Sequence, residues 1–526
     1  MGAGLSTPRF FFASTRQRDK VWRMTTAPKP DDDLWDPLDH PAMRRRIEDG
    51  TVEEWGKVFP VSYGGVKMVA NNIRLEGKDR FSLKEQRKAW MEDKELGRSL
   101  KADFELYDDE TGDKLDERPG VTLMRVPYYS DRGTFVYNGN HYPAAIQSRM
   151  MPGAYARKQS NGGLEVQVNT RAGTGKVFRV ALEPETGQFR MRIKGGDMHL
   201  YSLLNALGVP DEQLSESWGP EVLELNSRKV DKGVLDRAYK KFVPEYGRTA
   251  TNDQEKGGLI IDALQKTQIT KSVVGRTLGA YWPKATQVKK SSDAYREILF
   301  GLLGKEAAAK PAKAFDLRST FGDVDDEGDE YQPFGIDGVL ASSRKLLAIN
   351  RGMDEVDERQ NLAFFKLYPM DKLMRERIRL DEGKLRRSLL RAVAGRRDLS
   401  ALHHRVFDPY HREMITKNPL TSPVEETNPF QLITQHRRVT QMGPGGIGST
   451  DAVTAEHQAV QPSEFGFYSP FEVPESGAAG VEVRITAGTR IGKDGRLKQR
   501  FRNLQTGTVE WKSPADLVDS VVKIPD

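Results

Sequence analysis

The chain has 526 residues, 37% hydrophobic and 30% charged, which is too long for one ordinary core and suits roughly two to four domains. No apolar run approaches the roughly 18 residues of a membrane span, and the absence of cysteine excludes disulfides, Cys-ligated zinc and thiol catalysis. With 81 Lys plus Arg against 75 Asp plus Glu the net charge is only +6, so an argument for nucleic acid has to come from local clusters.

Residues 1–29 are basic and aromatic (Arg9, Phe10, Phe11, Phe12, Arg16, Arg18, Arg23), with Asp19 the only acid. This composition suits a disordered arm better than a transit peptide. After the acidic stretch DDDLWD, residues 41–150 mix short helical pieces, strand-like runs and glycine turns. Leu100, Ala102, Phe104 and Leu106 alternate into a DETG turn, which predicts a hairpin. A second hairpin is predicted over 177–193, around Pro184 and Gly187, followed by the helical HLYSLLNALGVP, which Pro210 stops. Residues 220–315 read as a polar helical insertion. Residues 362–407 carry helical apolar spacing (Leu373, Ile378, Leu385, Leu389, Leu390, Val393), and within 371–410 eleven Lys or Arg face six Asp or Glu, a local net of +5. Beyond Pro419 the chain turns glycine-rich and then strand-like.

Most candidate chemistry has a plainer explanation. Asp323, Asp325 and Asp329 in DVDDEGDE could offer hard oxygen ligands, with Gly328 at the sixth position of a calcium loop. The twelfth position, however, is Phe334 where a bidentate glutamate is needed, so a solvated acidic loop is favoured. GPGGIG (443–448) formally matches a dinucleotide fingerprint, but HRRVTQM precedes it where a buried strand should run. A flexible Gly-Pro-Gly-Gly loop describes it better. His403, His404 and His411 lack zinc-site spacing, and no GxSxG or GxxxxGK[ST] sequence is present. Two basic features remain. Gln435, His436, Arg437 and Arg438 precede the glycine loop, where guanidinium forks suit phosphates or a structural carboxylate equally. In GRLKQRFRN, Arg496, Lys498, Arg500 and Arg502 fall at period two on one face of a strand, to track phosphates or to guard an edge with charge.

The segment NPFQLITQHRRVTQMGPGG (428–446), followed by PSEFGFYSPFEVPESG (462–477), resembles the fork region of bacterial RNA polymerase β subunits, where the pattern is NPLSE(I/L)THKRR(I/L)SALGPGG and then HPTHYGR(I/V)CPIETPEGPN. Upstream, in the same order, FPVSYGGVKMVANNIRL (59–75), GTFVYNG (133–139), QSRMMPGAYA (147–156), the hairpin and helix at 177–207 and MDEVDERQN (353–361) resemble further segments of that family.

The resemblance implies an α+β, multidomain fold: an N-terminal arm (1–39), a protrusion in two parts (40–148 and 388–425), a lobe with a helical insertion (149–387), a fork (426–477) and an external strand region (478–526). It implies the N-terminal half of a split β-type subunit of a multisubunit DNA-directed RNA polymerase, for which jumbo bacteriophage and archaeal split subunits are the two precedents; GPGG, the bacterial form of the fork, favours the jumbo bacteriophage kind, in infected host cytoplasm or the virion. Partners would be a β C-terminal-half subunit, β′-type subunits, DNA template and nascent RNA, with no membrane. No catalytic residue or cofactor is expected on this chain, because the family's Mg²⁺ sits on the β′-type subunit. Gln435, Arg437, Arg438, Thr440, Gly445, Gly446, Glu475, Arg496, Lys498 and Arg500 are the expected nucleic-acid contacts. The loop departs from the family, since TRERAGF becomes IGSTDAV without arginines and Ala478 replaces an asparagine. Ser422, Pro423 and Gln435 stand where the family's rifampicin pocket has Gln, Phe and His, which predicts resistance. The rival readings are a virion structural protein that keeps the β fold without activity, and a metal enzyme built on Asp323–Asp329.

Overall fold

The computed structural model describes residues 21–24, 34–227 and 336–523, less 64, 152, 160–161, 170–176, 184–185, 194–195, 207–208, 394–396, 401, 403–411, 414, 425–426, 429, 475–476 and 519. The chain divides into two compact units, Met1–Arg149 with Gln360–Asp526, and Met150–Arg359. The fold is mixed α+β with several separate sheets, as expected. The second unit ends at 359, and the segment that follows packs within the first unit.

In the first unit, helix His40–Val58 starts where Asp39 accepts a hydrogen bond from the Ala42 amide, with Pro41 in the first turn. Met43, Ile47, Trp55 and Val58 form its buried side. It packs on helix Met370–Val393, which buries Leu373, Ile378, Leu385 and Leu389. Arg46 pairs with Asp371 at 2.7 Å and Arg379 with Glu54 at 2.8 Å. Both pairs have the same sequence separation of 325, so the helices run parallel. Gly50 belongs to this contact: a Cβ there would lie 2.2 Å from Nε of Arg375. Residues 365–368, expected to be helical, instead form a strand, and the helix begins only after Pro369.

The first predicted hairpin is present as strands Gly97–Asp108 and Lys114–Pro127 of a four-stranded antiparallel sheet, with Leu100, Ala102, Phe104 and Leu106 fully buried. A second four-stranded sheet orders Phe365–Tyr368, Ile146–Met150, Arg438–Thr440 and Glu482–Arg484. The central pair is parallel, with Val439 opposite Ile146 and Thr440 opposite Gln147, so segments nearly 300 residues apart become neighbours. A six-stranded sheet gathers Leu34–Trp35, Arg490–Gly492, Leu497–Asn503, Val509–Lys512, Val21–Met24 and Val521–Lys523. Two pieces of the region read as an arm are thus strands, because their pairing partners lie near the other end of the sequence.

The second unit is an antiparallel meander of Gly153–Lys158, Leu164–Asn169, Val177–Leu182, Phe189–Ile193 and Gly196–His199. The second predicted hairpin and its following helix, Leu200–Ala206, are in place. Apolar residues of one sheet face (Val166, Val168, Phe178, Val180, Phe189, Met191) share a core with helices Leu200–Ala206, Asp211–Trp218 and Ile336–Asn350. Of the predicted insertion only helix Pro220–Ser227 is described, and Asp323–Asp329 lie outside the described residues. Trp218 closes the core, its ring 5.0 Å from that of Phe189 and tilted 37° to it, with its indole donating to Ser343 Oγ at 2.7 Å. Trp218→Ala is expected to destabilise this unit by about 3–5 kcal/mol through lost burial and a cavity, read as a lowered urea midpoint.

Candidate nucleic-acid interface

Helix Gln431–His436 runs directly into strand Arg438–Thr440, with Arg437 capping the helix between them. This short unit aims successive side chains in different directions. Arg437 donates through one terminal nitrogen to both oxygens of Glu472, at 3.0 and 2.9 Å. A structural carboxylate, one of the two partners the sequence allowed, is thus in place. Arg438 donates to the Leu420 carbonyl at 3.3 Å, while its Nε is buried without a hydrogen-bond partner. Burial lowers the Arg438 pKa, Glu482 opposes that shift and the cross-strand Arg484 adds to it. Thr440 is buried and its hydroxyl accepts from the Met442 amide at 3.0 Å. Gln435 keeps Oε1 buried without a partner.

The glycine loop that follows is tied down from below. The Arg149 side chain, only 2% exposed, pairs with Glu376 at 2.7 Å, donates to the Pro444 carbonyl at 3.0 Å and to Gln147 Oε1 at 2.7 Å, and stacks 4.6 Å from the Tyr368 ring. Gln147 in turn donates to the Met442 carbonyl at 2.9 Å. Gly445 has φ +86°, and a Cβ there would lie 2.8 Å from the Arg149 guanidinium carbon. At Gly446 a Cβ would lie 2.1 Å from the Gln441 carbonyl oxygen. The glycines are therefore required by contacts and not only by a turn, and the loop read as flexible is hydrogen-bonded to the sheet under it. Arg149 lies in the quoted segment QSRMMPGAYA, but neither it nor Glu376 is singled out by the sequence, since each is one charge within an ordinary strand or helix.

Behind the loop, His436 packs edge-on to His40, with ring centroids 4.5 Å apart. His436 Nε2 donates to the Arg132 carbonyl at 2.8 Å, so the neutral ring is held. Burial first, and then the neighbouring His40, pushes the His436 pKa down to about 4. Burial likewise raises the pKa of Glu464 to about 7, beside Ser148, Gln360 and Tyr468 in a small pocket at this sheet.

The other expected contacts lie on the six-stranded sheet. Strand Leu497–Asn503 buries Leu497, Gln499, Phe501 and Asn503 and turns Lys498, Arg500 and Arg502 outward, as the period-two pattern predicts. Lys498 lies 3.8 Å from Asp516 and Arg500 sits 5.3 Å over the Trp511 ring, so both have local partners. Arg496 precedes the strand at the end of a tight turn. Gln435, Arg437, Arg438, Thr440, Gly445 and Gly446 are thus gathered around one small sheet, and Arg496, Lys498 and Arg500 on another. Glu475, His403, His404 and His411 lie outside the described residues. Among the described residues no group of three or more His, Cys, Asp or Glu is placed to hold a metal ion, and no helix is long and apolar enough to cross a membrane.

Residues 423–491 match the family model described as RNA polymerase Rpb2, domain 3. The similarity is to β-type RNA polymerase subunits. Over 497 residues the chain is 21% identical to the DNA-directed RNA polymerase subunit beta of Trichormus variabilis, covering 89% of this chain and 39% of that protein. With the corresponding subunits of Nephroselmis olivacea and Synechocystis it is 22% identical over 479 and 489 residues, covering 89% and 90% of this chain and 40% of each relative. The chain spans about 40% of the length of the curated relatives it matches. The matched domain contains the Arg437–Glu472 pair and the glycine loop.

Two outcomes follow from this geometry. Arg149→Ala strips Glu376 and the Pro444 carbonyl of a buried partner and is expected to cost about 3–5 kcal/mol in unfolding free energy. Adding Glu376→Ala should then cost much less than the same change in the parent, a non-additivity read by a double-mutant cycle. Because folding lowers the His436 pKa from 6.5 to about 4, its contribution is full above pH 6.5 and is lost as pH falls toward 4. Between pH 7 and 5 the parent should lose about 2 kcal/mol more than His436→Phe in urea titrations.

Proposed function

We propose that this chain is the N-terminal half of a β-type subunit in a multisubunit DNA-dependent RNA polymerase, where it shapes the cleft that holds template and transcript. The observation that carries the reading is the continuous similarity to β subunits through the fork, whose glycine loop is held on a sheet by buried Arg149. In this role the chain supplies no acid, base or metal ligand for nucleotidyl transfer. The backbone of Gly445 and Gly446 faces the RNA:DNA hybrid, Arg438 and the buried Thr440 fix the strand that leads into that loop, and Lys498 and Arg500 meet phosphates without reading sequence. Its partners in this reading are the remaining β sequence and β′-type subunits that carry Mg²⁺, in an assembly of the jumbo bacteriophage kind. That origin places the assembly in infected host cytoplasm or the virion.

Co-purification from the native source, followed by templated RNA synthesis with and without this chain, tests the reading. The expected result is recovery of this chain with the remaining β sequence and β′-type partners, and RNA synthesis that requires this chain. Recovery among capsid proteins without such partners or activity would instead support the structural alternative. The active complex is expected to resist rifampicin, because Ser422, Pro423 and Gln435 remove an aromatic wall and two polar contacts. At about one kcal/mol or more per contact the drug loses several kcal/mol. Inhibition at concentrations that stop a sensitive bacterial enzyme would contradict this.

A further inference from the structure

We infer that the outward side of helix Leu83–Met91 is a docking surface, and that its occupant is an acidic amphipathic helix of a partner protein. The helix is fixed from its inner side. Ser82 and Glu85 form a capping box, in which the Ser82 amide donates to the Glu85 carboxylate at 2.9 Å and the Glu85 amide to Ser82 Oγ at 3.3 Å. Gln86 donates to the Phe81 carbonyl at 2.7 Å, and Ala89 packs in a small core with Leu96, Tyr128 and Val136. Gln86 and Ala89 are the buried residues of the helix. Its large apolar side chains are left outside: Leu83 is 68%, Trp90 50% and Met91 72% exposed.

Apolar residues scattered singly over a surface need no explanation, but these three share one side of one short helix. Leu83, Arg87 and Met91 follow at i, i+4 and i+8 and form a ridge, with Trp90 beside its end and Lys84 beside its start. A ridge of that spacing is what packs into the groove of a second helix. Trp, Met and Arg are concentrated where protein partners meet, and Trp and Arg carry much of the binding energy there.

The charges set the sign of the occupant. Lys78 pairs with Glu85, and Lys88 and Lys94 share Glu92. Asp79 is taken by Arg98, and Arg80 by Asp131. Among the described residues Lys84 and Arg87 have no carboxylate partner. Asp93 follows the helix, with its carboxylate against the turn at Gly139. Over 78–94 six Lys or Arg stand against four Asp or Glu, and 6 − 4 leaves a net of +2. The complementary helix therefore covers Leu83, Trp90 and Met91 with an apolar stripe and meets Lys84 and Arg87 with carboxylates beside that stripe. Three apolar side chains give a bilayer little to hold, and two unpaired cations give a nucleic-acid backbone little.

The test places a photoreactive benzoylphenylalanine at the exposed position 83 of the full chain, expressed in its native source, and reads the attached peptide by mass spectrometry. The expected product is a peptide of another protein, negative in net charge and with apolar residues at helical spacing. Trp90→Ala is expected to reduce its yield at least about tenfold. The pair Lys84→Glu, Arg87→Glu should do the same, while Lys84→Arg with Arg87→Lys, which keeps both charges, retains it. Unchanged thermal melting shows that these exposed substitutions leave the fold intact; where Trp90→Ala melts early, Met91→Gln reads the apolar contribution instead. A basic peptide, a second copy of this chain, nucleic acid or lipid as the adduct, no adduct at all, or a yield indifferent to charge reversal overturns the proposal.

Discussion

The first unit depends on a single desolvated cation. A guanidinium as deeply buried as that of Arg149 is tolerated only when its charge and donors are all met, and the groups that meet them come from four stretches of sequence. Glu376 arrives on a helix, the Pro444 carbonyl on a loop, Gln147 from the same strand and the Tyr368 face from the neighbouring one. Each segment is therefore constrained by the other three. The glycines at 445 and 446 follow from that constraint, because no side chain fits between the loop backbone and what lies beneath it.

Charge is distributed differently in the two units. Around the glycine loop most described cations are already committed: Arg437 to Glu472, Arg484 to Glu482, and Arg438 to a carbonyl at the cost of partial desolvation. Held in this way they offer rigid positions rather than loose positive charge. In the second unit one buried carboxylate, Glu165, is instead approached by Arg157, Arg179 and Arg192.

Where a pattern is local, sequence and structure agree. Alternation over Leu100–Leu106 and over Leu497–Asn503 places the apolar residues inward in both strands, since side-chain direction in a strand follows from backbone geometry alone. Helix Met370–Val393 was legible from its apolar spacing, but the strand at 365–368 was not. A four-residue run has too few positions to express a period, and its strand state comes from pairing beside Ile146–Met150. Strands 21–24 and 34–35 were missed for a related reason, because their partners lie more than 450 residues away.

The amino-acid sequence by itself determined the resemblance to polymerase β subunits, the two hairpins, the outward row of Lys498, Arg500 and Arg502, and the absence of any cysteine chemistry. Only the tertiary structure decided which partner each charge has. Whether Arg437 faces a carboxylate, whether a glycine loop is supported from beneath and whether three arginines share one glutamate depend on segments brought together across hundreds of residues. Electrostatic energy depends on distance and burial in space, and neither is a property of a residue's neighbours in sequence.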